Sequence, residues 1–111
     1  MIGGPFEAAG TTDPVPTGSR SDCVSDVGVF DMVENLVEWV ADWVPRSTGC
    51  GSWDAFSDDD QCLAGAATDG VPGALVRGGV FSSGSFAGVF NLNGNQEPNS
   101  AGGHIGFRAA R

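Results

Sequence analysis

The three cysteines of this chain, Cys23, Cys50 and Cys62, are the residues best suited to redox or metal chemistry. An odd number of thiols cannot pair completely within one chain. Cys50 and Cys62 flank an acidic loop and could close it as a disulfide, leaving Cys23 free; three reduced thiols are the alternative. The redox compartment decides between these states, so both stay open. A zinc site would need closely spaced Cys and His ligands, and we expect none because the single histidine, His104, is distant in sequence.

Carboxylates and His104 are the other groups with chemical potential. Asp58, Asp59 and Asp60 form a run that could hold a cation, but such runs are typical of solvated surfaces, and we expect that here. His104 has no serine or cysteine partner placed by a motif. We therefore expect a surface residue and not a general base.

The charge balance excludes several classes of partner. The chain has 14 acidic and 5 basic residues, a net charge of -9 and no lysine. Binding to a phosphate backbone needs a basic groove, so we expect neither nucleic acid nor an anionic membrane surface as a partner. No uninterrupted apolar run approaches the roughly 20 residues that span a bilayer. Residues 1–10 lack the basic and apolar regions of a signal peptide, so we expect no membrane insertion and no secretion signal in this chain.

Length and composition predict one loop-rich domain over residues 1–111. Glycine and proline are frequent, with 18 and 6 residues, yet 41% of the 111 residues are hydrophobic. The most apolar stretch, 29–44, places Val33, Leu36 and Val37 at helical spacing, and Asp31 with Glu34 resembles a capping box, so the local pattern favours a helix. Short strands are expected at 75–81 and 105–110.

Two groups of motifs resemble the domain shared by formylglycine-generating enzymes and sulfatase-modifying factors. The segment GVFDMVENLVEW at 28–39, followed by Asp42 and Trp43, is similar to the family signature GLYDMxGNVWEW…DW. The segments VRGG at 76–79 and IGFR at 105–108 are similar to its RGGSW…GFR motifs. The resemblance covers about residues 16–110. It implies an α+β fold, a minimal C-type-lectin-like domain with short antiparallel strands, in which 29–44 is mainly extended and its tryptophans are buried.

The catalytic cysteines of formylglycine-generating enzymes have no counterpart after the Arg77-Gly78-Gly79 turn. In that family two cysteines follow the turn, and a thiolate binds copper and handles the substrate cysteine. Counting from the turn, these positions are Ser83 and Gly88. A hydroxyl cannot replace a soft thiolate for copper or thiol exchange, so we expect neither an enzyme nor a copper site.

The tail at 77–108 resembles the variable region of proteins diversified by retroelements. In such regions a constant frame surrounds positions that vary between copies. The frame residues found here are Arg77, Gly78, Gly79, Gly84, Ala87, Gly88, Val89, Phe90, Leu92, Pro98, Ile105, Gly106, Phe107 and Arg108. The apolar Val, Phe and Ile residues of the frame are expected in the core. Phe81 stands where the usual residue is Trp.

The positions between the frame residues are the expected ligand-binding surface. Most are encodable by the NNC codons that adenine mutagenesis of AAC produces, whereas Gln96 departs from this pattern. We expect Phe86, with Phe81 and His104, to anchor the ligand, and serine and asparagine to make adaptable polar contacts. The expected ligand-binding residues are Val80, Phe81, Ser82, Ser83, Ser85, Phe86, Asn93, Asn95, Gln96, Ser100, Gly102, Gly103 and His104.

The resemblance also implies a calcium site in the 31–38 turn. The matching ligands are the side chains of Asp31 and Glu38 and the backbone carbonyls of Glu34 and Leu36, a set of oxygens that suits Ca²⁺. The alternative is that backbone amides or an arginine satisfy the two carboxylates. Arg77 and Arg108 are expected to be internal and to pair with a carboxylate such as Asp42 or Glu38.

These observations predict a non-catalytic protein that recognises a protein or surface receptor. Retroelement-diversified proteins of this type serve as viral receptor-binding tips or surface-displayed binders, so we expect display on a virion or cell surface. A homo-oligomer is compatible with the odd number of cysteines. Two alternatives remain: an enzyme-like domain that lacks the cysteine pair, and a structural fragment that depends on oligomerisation.

Overall fold

A computed structural model describes residues 13–19, 24–33, 35–52, 55–63 and 65–109 of the chain. Two residues with expected roles, Cys23 and Glu34, lie outside these ranges. The elements are β1 (Val37–Ser47), β2 (Gly51–Ser52), β3 (Asp60–Cys62), β4 (Thr68–Gly78), a 3-10 turn (Gly84–Phe86), β5 (Gly88–Gln96) and β6 (Ile105–Phe107).

These strands form one mixed sheet of six strands in the order β2-β3-β5-β4-β1-β6. β1 and β5 each pair antiparallel with β4, and β2 pairs antiparallel with β3. β1 with β6 and β3 with β5 are parallel pairs. In the described part of the chain, the buried apolar side chains include Val33 and Val37 and the three consecutive β4 residues at 74–76.

The expected α+β class with short antiparallel strands is wrong. The described residues contain no α-helix and only one 3-10 turn, β1 and β4 are each 11 residues long, and two of the strand pairs are parallel. Consistently, no helix among them has the length and apolar character needed to cross a bilayer.

The helix favoured by the local pattern of 29–44 is absent, and residues 37–44 are extended within β1, as the family resemblance implied. Its valines and tryptophans suit a pleated strand, which pairs with β4 along one edge and with β6 at Val37–Trp39 on the other. A register shift between Trp39 and Trp43 breaks the two-residue alternation, which explains why the stretch lacks a simple strand pattern. The expected burial of the tryptophans is wrong for Trp43, which is 69% exposed.

Candidate functional site

The turn after β4 depends on two glycines in the left-handed region. Gly78 and Gly79 have φ angles of 98° and 80°. A Cβ on Gly79 would lie 2.5 Å from the Cβ of Ala87, and one on Gly78 would lie 3.0 Å from the carbonyl oxygen of Met32. Only glycine permits both the backbone angles and this approach, so the pair fixes the direction in which the following residues leave the sheet.

Hydrogen bonds within residues 80–87 make this segment a compact turn. The Val80 amide donates to Ser83 Oγ at 3.1 Å, and the Ser83 amide donates to the Val80 carbonyl at 2.8 Å. The Ala87 amide then donates to the Gly84 carbonyl at 3.0 Å and ends the 3-10 turn. Phe86, the expected anchor, is 56% exposed. We call residues 80–86 the display turn.

The display turn and the loop before β6 flank the start of β1. The Phe81 amide donates to the Asn35 carbonyl at 3.2 Å, and the Val37 amide donates to the His104 carbonyl at 3.0 Å. Expected ligand-binding residues at 80–86 and 102–104 therefore lie at the same end of the sheet.

The remaining expected ligand residues lie farther along β5 and in the loop after it. Gln96 is opposite Ala74 in β4, whereas Gly88 is opposite Gly78. Ala74 and Gly78 are four residues apart on β4, which corresponds to roughly 13 Å of strand, and register shifts take up the additional residues of β5. The structure thus places Asn93, Asn95, Gln96 and Ser100 outside the display turn.

Three large apolar residues were missed as candidate contacts. The frame residues Val89 and Phe90 were expected in the core but are 50% and 52% exposed, and Phe56 in the loop after β2 is 81% exposed. The same core assignment is wrong for Phe107, which is 80% exposed. No signal in the sequence marks these positions, because the exposure of a strand residue depends on which strands lie beside it.

A cleft of about 420 Å³ separates the loop after β2 from the start of β5. Val33 and Ala87 are its buried lining residues of apolar type, and Phe56 and Phe90 are exposed along it. The full lining is Val33, Phe56, Ser57, Asp58, Asp59, Ser85, Ala87, Gly88, Val89 and Phe90.

The acidic run is not a uniformly solvated face. Asp58 is exposed as expected, but Asp59 is only 6% exposed, and its Oδ2 accepts the Phe90 amide at 2.8 Å. The side-chain amide of Gln61 donates to the Phe90 carbonyl. Asp59 and Gln61 thus bind both backbone polar groups of Phe90, which positions β5 against the loop.

The structure pairs Cys50 with Cys62 as a disulfide, which settles one of the open alternatives. Cys62 is fully buried, and Cys50 is exposed. Asp60 Oδ2 lies 3.8 Å from Cys62 Sγ, and burial raises the pKa of the Asp60 carboxyl above its ordinary value, with a smaller opposing effect of a backbone hydrogen bond from Gln61. The disulfide closes the segment that carries Phe56, Asp58 and Asp59.

The Glu38 carboxylate of the expected calcium site has an arginine partner. Glu38 accepts from Arg108 Nη2 at 2.5 Å and from Nε at 3.0 Å, and Arg108 Nη2 also donates to the carbonyl oxygens of Phe30 and Asp31. The hydrogen bond to Glu38 raises the pKa of Arg108. This pairing confirms the expected partner of Arg108, although the arginine lies at the surface and not inside. Arg77 is opposite Glu38 in the β1–β4 register.

Asp31 takes part in a separate set of contacts. It is 4% exposed, has a φ of 52°, and accepts the Gly18 amide through Oδ2 at 2.8 Å. Its Oδ1 is buried without a hydrogen-bond partner among the described residues. Calcium binding at Asp31, Glu34, Leu36 and Glu38 stays a prediction, and Arg108 would compete with the ion for the Glu38 carboxylate.

Comparison with known protein families gives one match. The model of the sulfatase-modifying factor enzyme 1-like domain matches residues 5–111. No curated protein and no solved structure is significantly similar to the chain.

Proposed function

Because the chain belongs to the family of sulfatase-modifying factor enzyme 1-like domains, which have a C-type-lectin-like fold, we propose that it uses this fold for non-catalytic ligand recognition. The ligand surface lies within residues 77–108 and is diversified by a retroelement. A protein or surface receptor is the ligand, and the chain is displayed on a virion or cell surface.

The accessibility of the expected ligand-binding residues around a glycine-dependent turn is the observation that carries this proposal. None of the thirteen expected ligand-binding residues is buried, whereas three of the fourteen frame residues, Gly78, Gly79 and Ala87, are buried where they build the turn. Exposed positions accept substitutions at little loss of stability, while a side chain added at Gly79 would collide with Ala87. This pattern supports a rigid turn that carries replaceable residues.

The character of the exposed residues also suits recognition. Phe86 and His104 are exposed beside serine and glycine, and Phe81 is half-buried at the same end of the sheet. Aromatic anchors combined with small polar residues are typical of antibody loops, which bind unrelated ligands on one framework.

Two local features argue against the oxidase chemistry of the enzymes in this family. The Ser83 hydroxyl accepts the Val80 amide, so it serves the turn. A Cβ at Gly88 would collide with the Asp59 carboxylate, so a cysteine at this position would displace the contact that holds β5. These contacts support a binding role in place of catalysis.

The DNA that flanks the gene provides the direct test. We expect a near-identical repeat of the segment that encodes residues 77–108, with AAC codons at the varied positions, beside a reverse-transcriptase gene. Flanking DNA without such a repeat would contradict diversification. Copper-dependent oxidation of a cysteine-containing peptide by the chain would contradict the non-catalytic role.

A further inference from the structure

We propose that the cleft between the loop after β2 and the start of β5 binds an arginine side chain of the protein partner. We call it the Phe–Asp cleft, after Phe56, Phe90, Asp58 and Asp59 in its lining. The inference rests on the proposed recognition function and names the ligand chemistry of one part of that surface.

The apolar lining suits the planar end and the stem of an arginine. Phe56 and Phe90 expose 81% and 52% of their surface, and the buried Val33 and Ala87 lie deeper. A guanidinium group stacks on aromatic rings through cation–π attraction, and its methylene stem packs on aliphatic carbon. The cleft volume of about 420 Å³ leaves room for one such side chain.

The charges of the cleft favour a cationic ligand over an apolar or an anionic one. Asp58 and Asp59 both line it, and none of its lining residues is basic. Asp59 is 6% exposed, and its Oδ2 accepts the Phe90 amide. Asp58 is exposed, so a covering apolar ligand would desolvate the Asp58 carboxylate without supplying a partner, and an anion would be repelled. A guanidinium compensates the charge and also stacks, whereas a lysine ammonium offers only a point charge.

The position of the cleft connects it to the display turn. Ser85 lines the cleft, and the neighbouring Phe86 is exposed. Most of the lining belongs to the frame or to the disulfide-closed loop, which diversification leaves unchanged. A partner that places an arginine in the cleft therefore contacts constant residues there and the variable residues beside them.

Titration of the folded chain with N-acetyl-arginine amide, followed by amide chemical shifts, tests the proposal. We expect saturable shift changes confined to residues 56–60 and 85–90. N-acetyl-citrulline amide, which has the same shape without the charge, should bind at least about threefold more weakly because it loses both the ion pair and the cation–π contact. Equal binding of the two compounds, or shift changes elsewhere in the sheet only, would overturn the proposal.

Matched variants separate the cleft from general effects. Asp58→Asn and Phe56→Ala alter exposed lining side chains, and each should weaken arginine binding about two- to fivefold. Asp42→Asn removes one charge from β1, and Phe107→Ala removes an aromatic ring from β6, two and three strands from β5. These controls should change affinity by less than about twofold, and an equal loss in them would overturn the proposal.

The outcome is independent of the genetic test of diversification. A template repeat without arginine binding would leave the proposed function standing and reject the Phe–Asp cleft. Arginine binding without a template repeat would retain the cleft and reject diversification.

Discussion

Gly79 shows how one residue decides the shape of the display turn. Its φ of 80° and the 2.5 Å approach of a Cβ to Ala87 combine two separate penalties for any side chain. Asp59 orients β5 in a comparable way. Its buried carboxylate accepts the Phe90 amide, and the absence of a side chain at Gly88 leaves room for this carboxylate. In both cases a small residue permits a contact that orients the binding surface.

Gly79→Ala should therefore destabilise the chain by about 2 kcal/mol or more, through backbone strain and overlap with Ala87. Gly103→Ala is the matched control, since a Cβ there meets nothing within 4 Å. It should change the free energy of unfolding by less than about 0.5 kcal/mol. Urea unfolding of both variants measures the difference, and equal stability of the two would contradict the role assigned to the turn.

Arg108 decides whether Glu38 is available to a metal ion. Because the guanidinium already binds this carboxylate, millimolar CaCl₂ should leave the melting temperature of the chain unchanged relative to EDTA. Arg108→Gln removes the competing cation and should make the melting temperature respond to calcium if Asp31 and Glu38 can act as ligands. A calcium-dependent rise in the unmodified chain would contradict this expectation.

At the scale of elements, the disulfide-closed loop and β5 form one unit. The loop supplies Phe56, Asp58 and Asp59 to the Phe–Asp cleft, and β5 supplies Phe90. The Cys50–Cys62 bond spans a sequence separation of 12 and holds the loop beside β3, which pairs with β5. The geometry of the cleft therefore depends on a covalent link outside the tail.

Reduction of this disulfide should lower the free energy of unfolding by about 3 kcal/mol, because the unfolded chain regains the entropy of the open loop. It should also weaken arginine binding, since Phe56 and Asp58 lose their fixed position. Calorimetry with and without a dithiol reductant measures the first effect, and the amide titration measures the second. Cys23→Ser, treated identically, controls for the remaining thiol, and reduction without any change in stability would contradict the prediction.

At the scale of the whole molecule, the net charge of -9 makes the stability of the folded chain depend on the salt concentration. Two ion-paired arginines, Arg46 and Arg108, neutralise only part of the acidic surface of the described residues. Repulsion among the remaining carboxylates disfavours the compact state and is screened by salt.

The melting temperature should therefore rise as NaCl is added at neutral pH. The same titration near the pI of about 4.1 is the control, because protonation has already reduced the repulsion there. A melting temperature that falls with salt at neutral pH would show that ion pairs such as Arg108–Glu38 outweigh the net repulsion.

Sequence motifs correctly predicted two local features, a glycine turn and an ion pair. The glycine pair at 78–79 was expected from its motif, and the structure explains it by the positive φ angles and the contact with Ala87. The pairing of Arg108 with a carboxylate such as Glu38 was also expected. Contacts between residues distant in sequence could not be predicted. No local pattern indicates that Asp59 accepts the Phe90 amide, because the two residues are 31 positions apart in the chain.

By itself, the sequence determined the family, the sign of the charge and the turn after β4, because motifs, ionisable groups and glycine φ angles are properties of short segments. Tertiary structure decided that 37–47 pairs with β4 and β6 in one sheet and that Val89 and Phe90 face solvent. It also distributed the expected ligand residues among the display turn, β5 and the loop between β5 and β6. The physical reason is common to these outcomes: a strand acquires its conformation and its buried face from the neighbours with which it pairs, and those neighbours are distant in sequence.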